Sequence, residues 1–292
     1  MFNLRFYIGA LDATKPALKI SVRPTTKATD VTPSERDILS KVPAITAGFW
    51  LIKILATTLG ETGGDTVSMS MGLGYLTGTA IFATILLVLV AAQIRSERFH
   101  PLLYWATIIA STTAGTTLAD FATRSLGIGY TGGSALLLAA VLVSLFVWRR
   151  VEGEIQSDTV SSPRAEIFYW VTITLSQTLG TALGDWTADT GGLGYLGAAM
   201  VFGALLAVVA GLALWTRVNR VLLFWAAFIL TRPLGATVGD FLDKPLDHGG
   251  LAFSRPVASA VLAVVIVGLI LLLPQRAGGH PGGGTGRTVP AV

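Results

Sequence analysis

WLIKILATTLGETGGD, residues 50 to 65, begins as an apolar helix yet closes on two carboxylates, Glu61 and Asp65. The layout returns without a gap as WATIIASTTAGTTLAD from Trp105, WVTITLSQTLGTALGD from Trp170 and WAAFILTRPLGATVGD from Trp225. Glycine stands ten residues after each tryptophan (Gly60, Gly115, Gly180, Gly235) and aspartate fifteen after it (Asp65, Asp120, Asp185, Asp240). Three copies continue into GLGY or GIGY, ending at Tyr75, Tyr130 and Tyr195, whereas the fourth reads Asp247, His248, Gly249, Gly250. Such self-similarity marks a repeat architecture. Each copy is read as one hairpin of two helices. The anchors lie 55, 65 and 55 residues apart, so the longest connection divides the chain into two halves.

The chain has 292 residues, 52% of them hydrophobic and 13% charged, with mean hydropathy +0.66. These values describe an integral membrane protein. Eight apolar segments fall at 43–61, 75–92, 102–119, 130–148, 166–184, 194–214, 221–239 and 255–273, each near the roughly 20 residues a spanning helix needs. Alternating ten-residue strands are absent, which removes a β-barrel and leaves helices as the way to satisfy backbone groups in lipid. The expected fold is all-α and polytopic, with eight transmembrane helices arranged as four two-helix repeats. Because each unit crosses twice, the repeats share one orientation and are related by rotation about the membrane normal. The expected divisions are a cytoplasmic tail (1–42), repeats one and two (43–148), a cytoplasmic linker (149–165), repeats three and four (166–273) and a disordered tail (274–292) containing GGHPGGGTG.

An even number of crossings puts both termini on one side, and that side carries 16 of the 21 basic residues. By the positive-inside rule it is cytoplasmic. Topology explains the basic balance more cheaply than nucleic-acid binding does, and no nucleic-acid partner is expected; the bilayer and a small ion or solute are. Oligomeric state is not legible. Trp50, Trp105, Trp148, Trp170, Trp215 and Trp225 fall near the cytoplasmic helix ends, where indoles commonly anchor at headgroups. The absence of cysteine excludes thiol chemistry, and His100, His248 and His280 are too scattered for a zinc site, so any metal would be held mainly by oxygen. Without a nucleotide-binding loop, metalloprotease motif or GxSxG elbow, an enzyme is not expected.

The tryptophan-marked copies resemble a family of bacterial membrane proteins built from four tandem two-helix repeats of unknown function. The resemblance covers about residues 43 to 273 and implies a bacterial cytoplasmic membrane, without implying a substrate or catalytic residues.

The odd-numbered helices carry Thr, Ser, Gly, Gln and charge, whereas even-numbered ones are apolar nearly all round, so the odd helices are expected inside and the even ones against lipid. Gly60 and Gly64, Gly180 and Gly184, and Gly235 and Gly239 make small faces on which helices approach closely. Positions three, seven, eleven and fifteen after tryptophan form a stripe at i, i+4 spacing. It reads Lys53, Thr57, Glu61, Asp65; then Ile108, Thr112, Thr116, Asp120; then Ile173, Gln177, Thr181, Asp185; and finally Phe228, Arg232, Ala236, Asp240. Each aspartate lies about 22 Å along its helix from the tryptophan, in the outer third of the bilayer and at a helix C-terminus where the dipole disfavours it. Bound cations, shared protons or the basic residues Lys53, Arg124, Arg232 and Lys244 must compensate.

A bland alternative makes each aspartate a cap that turns the chain out of its helix, makes Lys53 and Arg232 members of structural ion pairs, and has GLGY start the even helix with glycines that bring backbones together. Three functions compete. The first is a cation transporter or exporter, for a hard divalent metal as substrate, with Asp65, Asp120, Asp185, Asp240 and Glu61 as ligands or proton carriers. The second is a proton-coupled carrier of an anionic or zwitterionic solute held by Lys53 and Arg232, with Gln177 on the same stripe. The third is a structural or regulatory membrane protein.

Overall fold

Helix starts are written locally. Thr46 accepts from the Phe49 amide, Ser162 from Ala165, and Asn219 from Val221 and Leu222, while Pro101 and Pro163 open their helices; these are favoured N-cap and first-turn residues. The computed structural model describes residues 41–153, 155, 160 and 162–278. The N-terminal tail to residue 40, most of the linker and the tail from 279 lie outside the described residues. Eight α-helices follow: α1 (Ala47–Asp65), α2 (Gly74–Arg95), α3 (Pro101–Asp120), α4 (Gly129–Glu152), α5 (Pro163–Asp185), α6 (Gly194–Trp215), α7 (Arg220–Asp243) and α8 (Arg255–Leu272). Among the described residues no strand intervenes, and α4 runs four residues into the expected linker.

Five of the helices, α2, α4, α6, α7 and α8, are long and apolar enough to cross a membrane. The other three, α1, α3 and α5, have 19, 20 and 23 residues but are more polar, because they carry the threonine-rich stripe. Only 11 to 28% of the apolar window of each even helix is buried, against 61% in α7. The even helices are therefore the outer layer.

The odd helices form a closed ring in which α1 meets α3 and α7, and α5 meets α3 and α7. Glycine sets this approach. A Cβ at Gly60 would strike Thr112, one at Gly115 would strike Gln177, one at Gly180 Arg232 and one at Gly235 Thr57. Every contact joins the tenth position of one repeat to the seventh of the next. One turn on, Gly64 meets Thr116, Gly184 meets Ala236 and Gly239 meets Glu61, joining the fourteenth position to the eleventh.

Two expectations are corrected here. The helices of one repeat do not form a packed hairpin: α2 lies on α3, α4 on α5, α6 on α7, and α8 closes the ring on α1. The aspartates do not turn the chain out of its helix either. In the first three copies the helix continues as a π-turn (Thr66–Ser70, Phe121–Ser125, Trp186–Thr190), and in the fourth α7 runs to Asp243. The chain leaves the helix later, at the paired glycines. Gly72 and Gly74, Gly127 and Gly129, and Gly192 and Gly194 all have φ between 65° and 76°, with open space where a Cβ would stand. GLGY does start α2, α4 and α6, but its glycines supply the left-handed backbone rather than a close approach.

At the tryptophan end an aromatic ring closes the bundle. The residue before each tryptophan touches the tryptophan of the next repeat: Phe49 with Trp105, Tyr104 with Trp170, Tyr169 with Trp225 and Phe224 with Trp50, at centroid distances of 5.5 to 6.2 Å. Tyr104 and Tyr169 share a 2.8 Å hydroxyl hydrogen bond inside it. Of the six tryptophans expected at headgroups, Trp105, Trp148, Trp170 and Trp225 are buried in the bundle instead, whereas Trp215 is 84% exposed. Above the ring, residues 42–44 and 276–278 pair as a short antiparallel clasp, with Ala44 donating to the Arg276 carbonyl and Gly278 to that of Val42. Residues 274–278 are thus part of the fold, not of a disordered tail.

Candidate functional site

The glycine contacts turn the four stripes inward. All 16 stripe residues are at most 2% exposed, so the axis of the inner ring is a column of four layers. Nearest the aromatic ring lie Lys53, Ile108, Ile173 and Phe228. Next come Thr57, Thr112, Gln177 and Arg232, then Glu61, Thr116, Thr181 and Ala236, and finally the four aspartates.

Arg232 joins all four repeats. Its Nη2 donates to Glu61 Oε2 at 2.9 Å and to the Thr116 and Thr181 hydroxyls, and its Nη1 donates to the Thr57 carbonyl at 3.2 Å. A fully buried guanidinium with one carboxylate and three further acceptors has its desolvation offset by charge-assisted bonds.

The aspartates, expected as one set of metal ligands, divide into two pairs. Arg124 lies 2.9 Å from Asp120 and donates to Asp185 at 3.1 Å. Lys244 donates to Asp65 at 2.8 Å and lies 2.9 Å from Asp240. Both cations stand nineteen residues after a tryptophan, where the other two repeats have Met69 and Asp189. Arg255 adds contacts to Asp65 at 3.7 Å and Asp243 at 3.4 Å. Burial works against the charge of Lys244, but Asp240, Asp65 and Asp243 outweigh it and hold its pKa above the ordinary lysine value. Arg124, likewise opposed by burial, is held up by Asp120 and Asp185. Sequence reasoning named Arg124 and Lys244 as compensating charges without placing them; their i+4 spacing from Asp120 and Asp240 is the signal that places them.

Glu61 joins the second pair. One carboxylate oxygen from each of Glu61, Asp65 and Asp240 lies within 4.8 Å of the other two. Oxygens about 2.3 to 2.6 Å from a common ion are at most about 4.6 to 5.2 Å apart, so the three can all reach one hard cation. Side-chain exposure rises from 0% at Arg232 to 10% at Lys244 and 31% at Arg124, so the aspartate end is the less enclosed end of the column. Lys53 lies in the layer beyond Arg232, away from the carboxylates, and Gln177 shares the layer of Arg232; their polar atoms have no hydrogen-bond partner among the described residues.

These features define an all-helical protein of four tandem repeats around a buried polar axis, with several helices able to span a bilayer. Residues 48–99, 103–154, 168–219 and 223–275 each match the family described as Repeat of Unknown Function (DUF347), and the chain belongs to it. No curated protein and no solved structure matches the chain.

Proposed function

We propose that this protein is a membrane transporter for a hard divalent cation, with Glu61, Asp65 and Asp240 as the oxygen ligands. The observation that carries the reading is the convergence of these three buried carboxylates in the axial column. Lys244 is the tethered cation that neutralises the site between transport events and gives way when metal arrives. Asp120, Asp185 and Arg124 form the matching but self-neutralised half. All eight helices cross the membrane, the inner four in one direction. Support for that direction comes from their contacts, which advance from tenth on seventh to fourteenth on eleventh along both partners. Both termini are then cytoplasmic, the aromatic ring and clasp close the inner face, and the metal site opens outward. A solute carrier gripped by Arg232 is less favoured, because this guanidinium is committed to Glu61, two threonine hydroxyls and a carbonyl.

Calorimetric titration of the purified full-length protein with Mn²⁺, Mg²⁺ and Ca²⁺, followed by vesicle flux, tests the proposal. Glu61→Gln is expected to weaken binding by about tenfold or more, by analogy with the loss of a charge-assisted contact of at least about 1.5 kcal/mol. Lys244→Met removes the competing ammonium and is expected to tighten it, whereas Arg124→Met leaves it unchanged. Protons compete for the same oxygens, so apparent affinity falls with pH. Equal affinity and flux in wild type and Glu61→Gln would overturn the assignment.

A further inference from the structure

The two layers between the aromatic ring and the Arg232–Glu61 pair have a polar inventory that does not balance. Lys53 is completely buried, and no described residue accepts a hydrogen bond from its ammonium. Its nearest compensation is the face of Phe228, 4.1 Å from Nζ to the ring centroid. A single cation–π contact offsets less than the cost of taking an ammonium out of water. In the next layer, Thr112 Oγ1, both amide atoms of Gln177 and Arg232 Nε are also buried without a partner. Buried polar groups are otherwise nearly always satisfied, by protein or by something bound.

The sign of the missing partner follows from the charges. Glu61 and the four aspartates all lie on the far side of Arg232, Glu61 paired with Arg232 itself and the aspartates sharing Arg124 and Lys244 two by two. The remaining residues of the two near layers are Ile108, Ile173, Phe228 and Thr57, none of them charged. The groups left over, the Lys53 amine, a guanidinium N–H, an amide and a hydroxyl, are mostly donors, and a small anion taken up together with a proton on Lys53 would satisfy them at once. Enclosure by the inner helices keeps that anion small.

We infer that Lys53, Thr112, Gln177 and Arg232 Nε form a binding site for a small monovalent anion of the halide or nitrate class, separate from the carboxylate group. None of its groups is a proposed cation ligand, and the two sites share one side chain, Arg232, which holds Glu61 through Nη2.

Thermal unfolding of the full-length protein, at one fixed sodium concentration with gluconate progressively replaced by chloride or nitrate, tests this. Ligands that bind the folded state raise Tm saturably, here by about 2 °C or more, a shift typical of 1 kcal/mol in a chain of this size. The shift is expected to disappear in Lys53→Met. In Gln177→Leu, which removes no charge, half-saturation is expected to move to about tenfold higher anion concentration, as for loss of one charge-assisted hydrogen bond. Equal Tm in gluconate and chloride for wild type overturns the site, as does an unsaturating rise that persists in Lys53→Met. If Lys53→Met does not fold, a Gln177→Leu titration identical to wild type overturns it alone. The metal titrations can fail without altering any of these outcomes.

Discussion

Arg232 is the side chain on which the four repeats most visibly depend, since one guanidinium bonds residues from all the others. Removing one partner of a buried pair leaves the other charged and unsolvated, at about 3 to 5 kcal/mol. Arg232→Met is therefore expected to lower unfolding stability by about that amount. Adding Glu61→Leu removes the orphaned carboxylate and is expected to restore at least about 1 kcal/mol, the coupling typical of contacting residues. Denaturant unfolding of the single and double variants checks both; additive losses would mean that the two side chains are not coupled. Glu61 and Arg232 were both legible in the sequence as stripe residues, but their pairing was not. They lie 171 residues apart and one stripe position, four residues, out of register, so only the closure of the ring brings them together.

Among the elements, the glycines of the inner helices separate into those that set helix distance and those that do not. A Cβ at Gly235 would lie 2.8 Å from the backbone carbon of Thr57, whereas one at Gly63 meets nothing within 4 Å. Gly235→Ala is expected to lower Tm by several degrees, because backbone must move. Gly63→Ala is expected to hold or raise it, since alanine in a helix interior gains about 0.5 to 1 kcal/mol over glycine. The small faces at Gly60, Gly180 and Gly235 were readable from spacing alone, as were the inner and outer layers from polarity. The aromatic ring was not singled out, although Phe49, Tyr104, Tyr169 and Phe224 precede the four tryptophans without exception. Tryptophan near a helix end satisfies both a headgroup belt and a packed cluster, and hydropathy does not distinguish them. The out-of-phase packing of even helices was hidden for a related reason: α2 is equally consistent with lying on α1 or on α3 when only its own apolar surface is known.

For the molecule as a whole, the proposed orientation puts Ser96 on the cytoplasmic side and Thr190 outside. The native chain has no cysteine, so single cysteines at these sites can be labelled without background. Thr190→Cys is expected to react with an impermeant reagent in intact cells and Ser96→Cys only after permeabilisation; the reverse pattern would invert the topology. The clasp allows a second measurement. Gly278 donates to the Val42 carbonyl at 2.8 Å, so a short linker from Gly278 to Lys41, with new termini in the loop at residues 216–219, cuts no helix and keeps both the clasp and the Lys41–Glu166 ion pair. Such a circular permutant is expected to fold with a Tm close to that of the native order, because termini joined where they already meet leave the packing intact. Loss of folded protein would show that the clasp depends on free ends.

The closure of α8 on α1 also bears on origin. A single ancestral copy of two helices would hold its outer helix away from its own inner helix, with nothing to pack against until another copy arrived. Four such peptides, each lending its outer helix to a neighbour, could complete the same ring as separate molecules. Gene duplication would then have tied together an assembly whose subunits already depended on one another, after which the freed copies were at liberty to acquire Lys53, Gln177 and Arg232 one at a time.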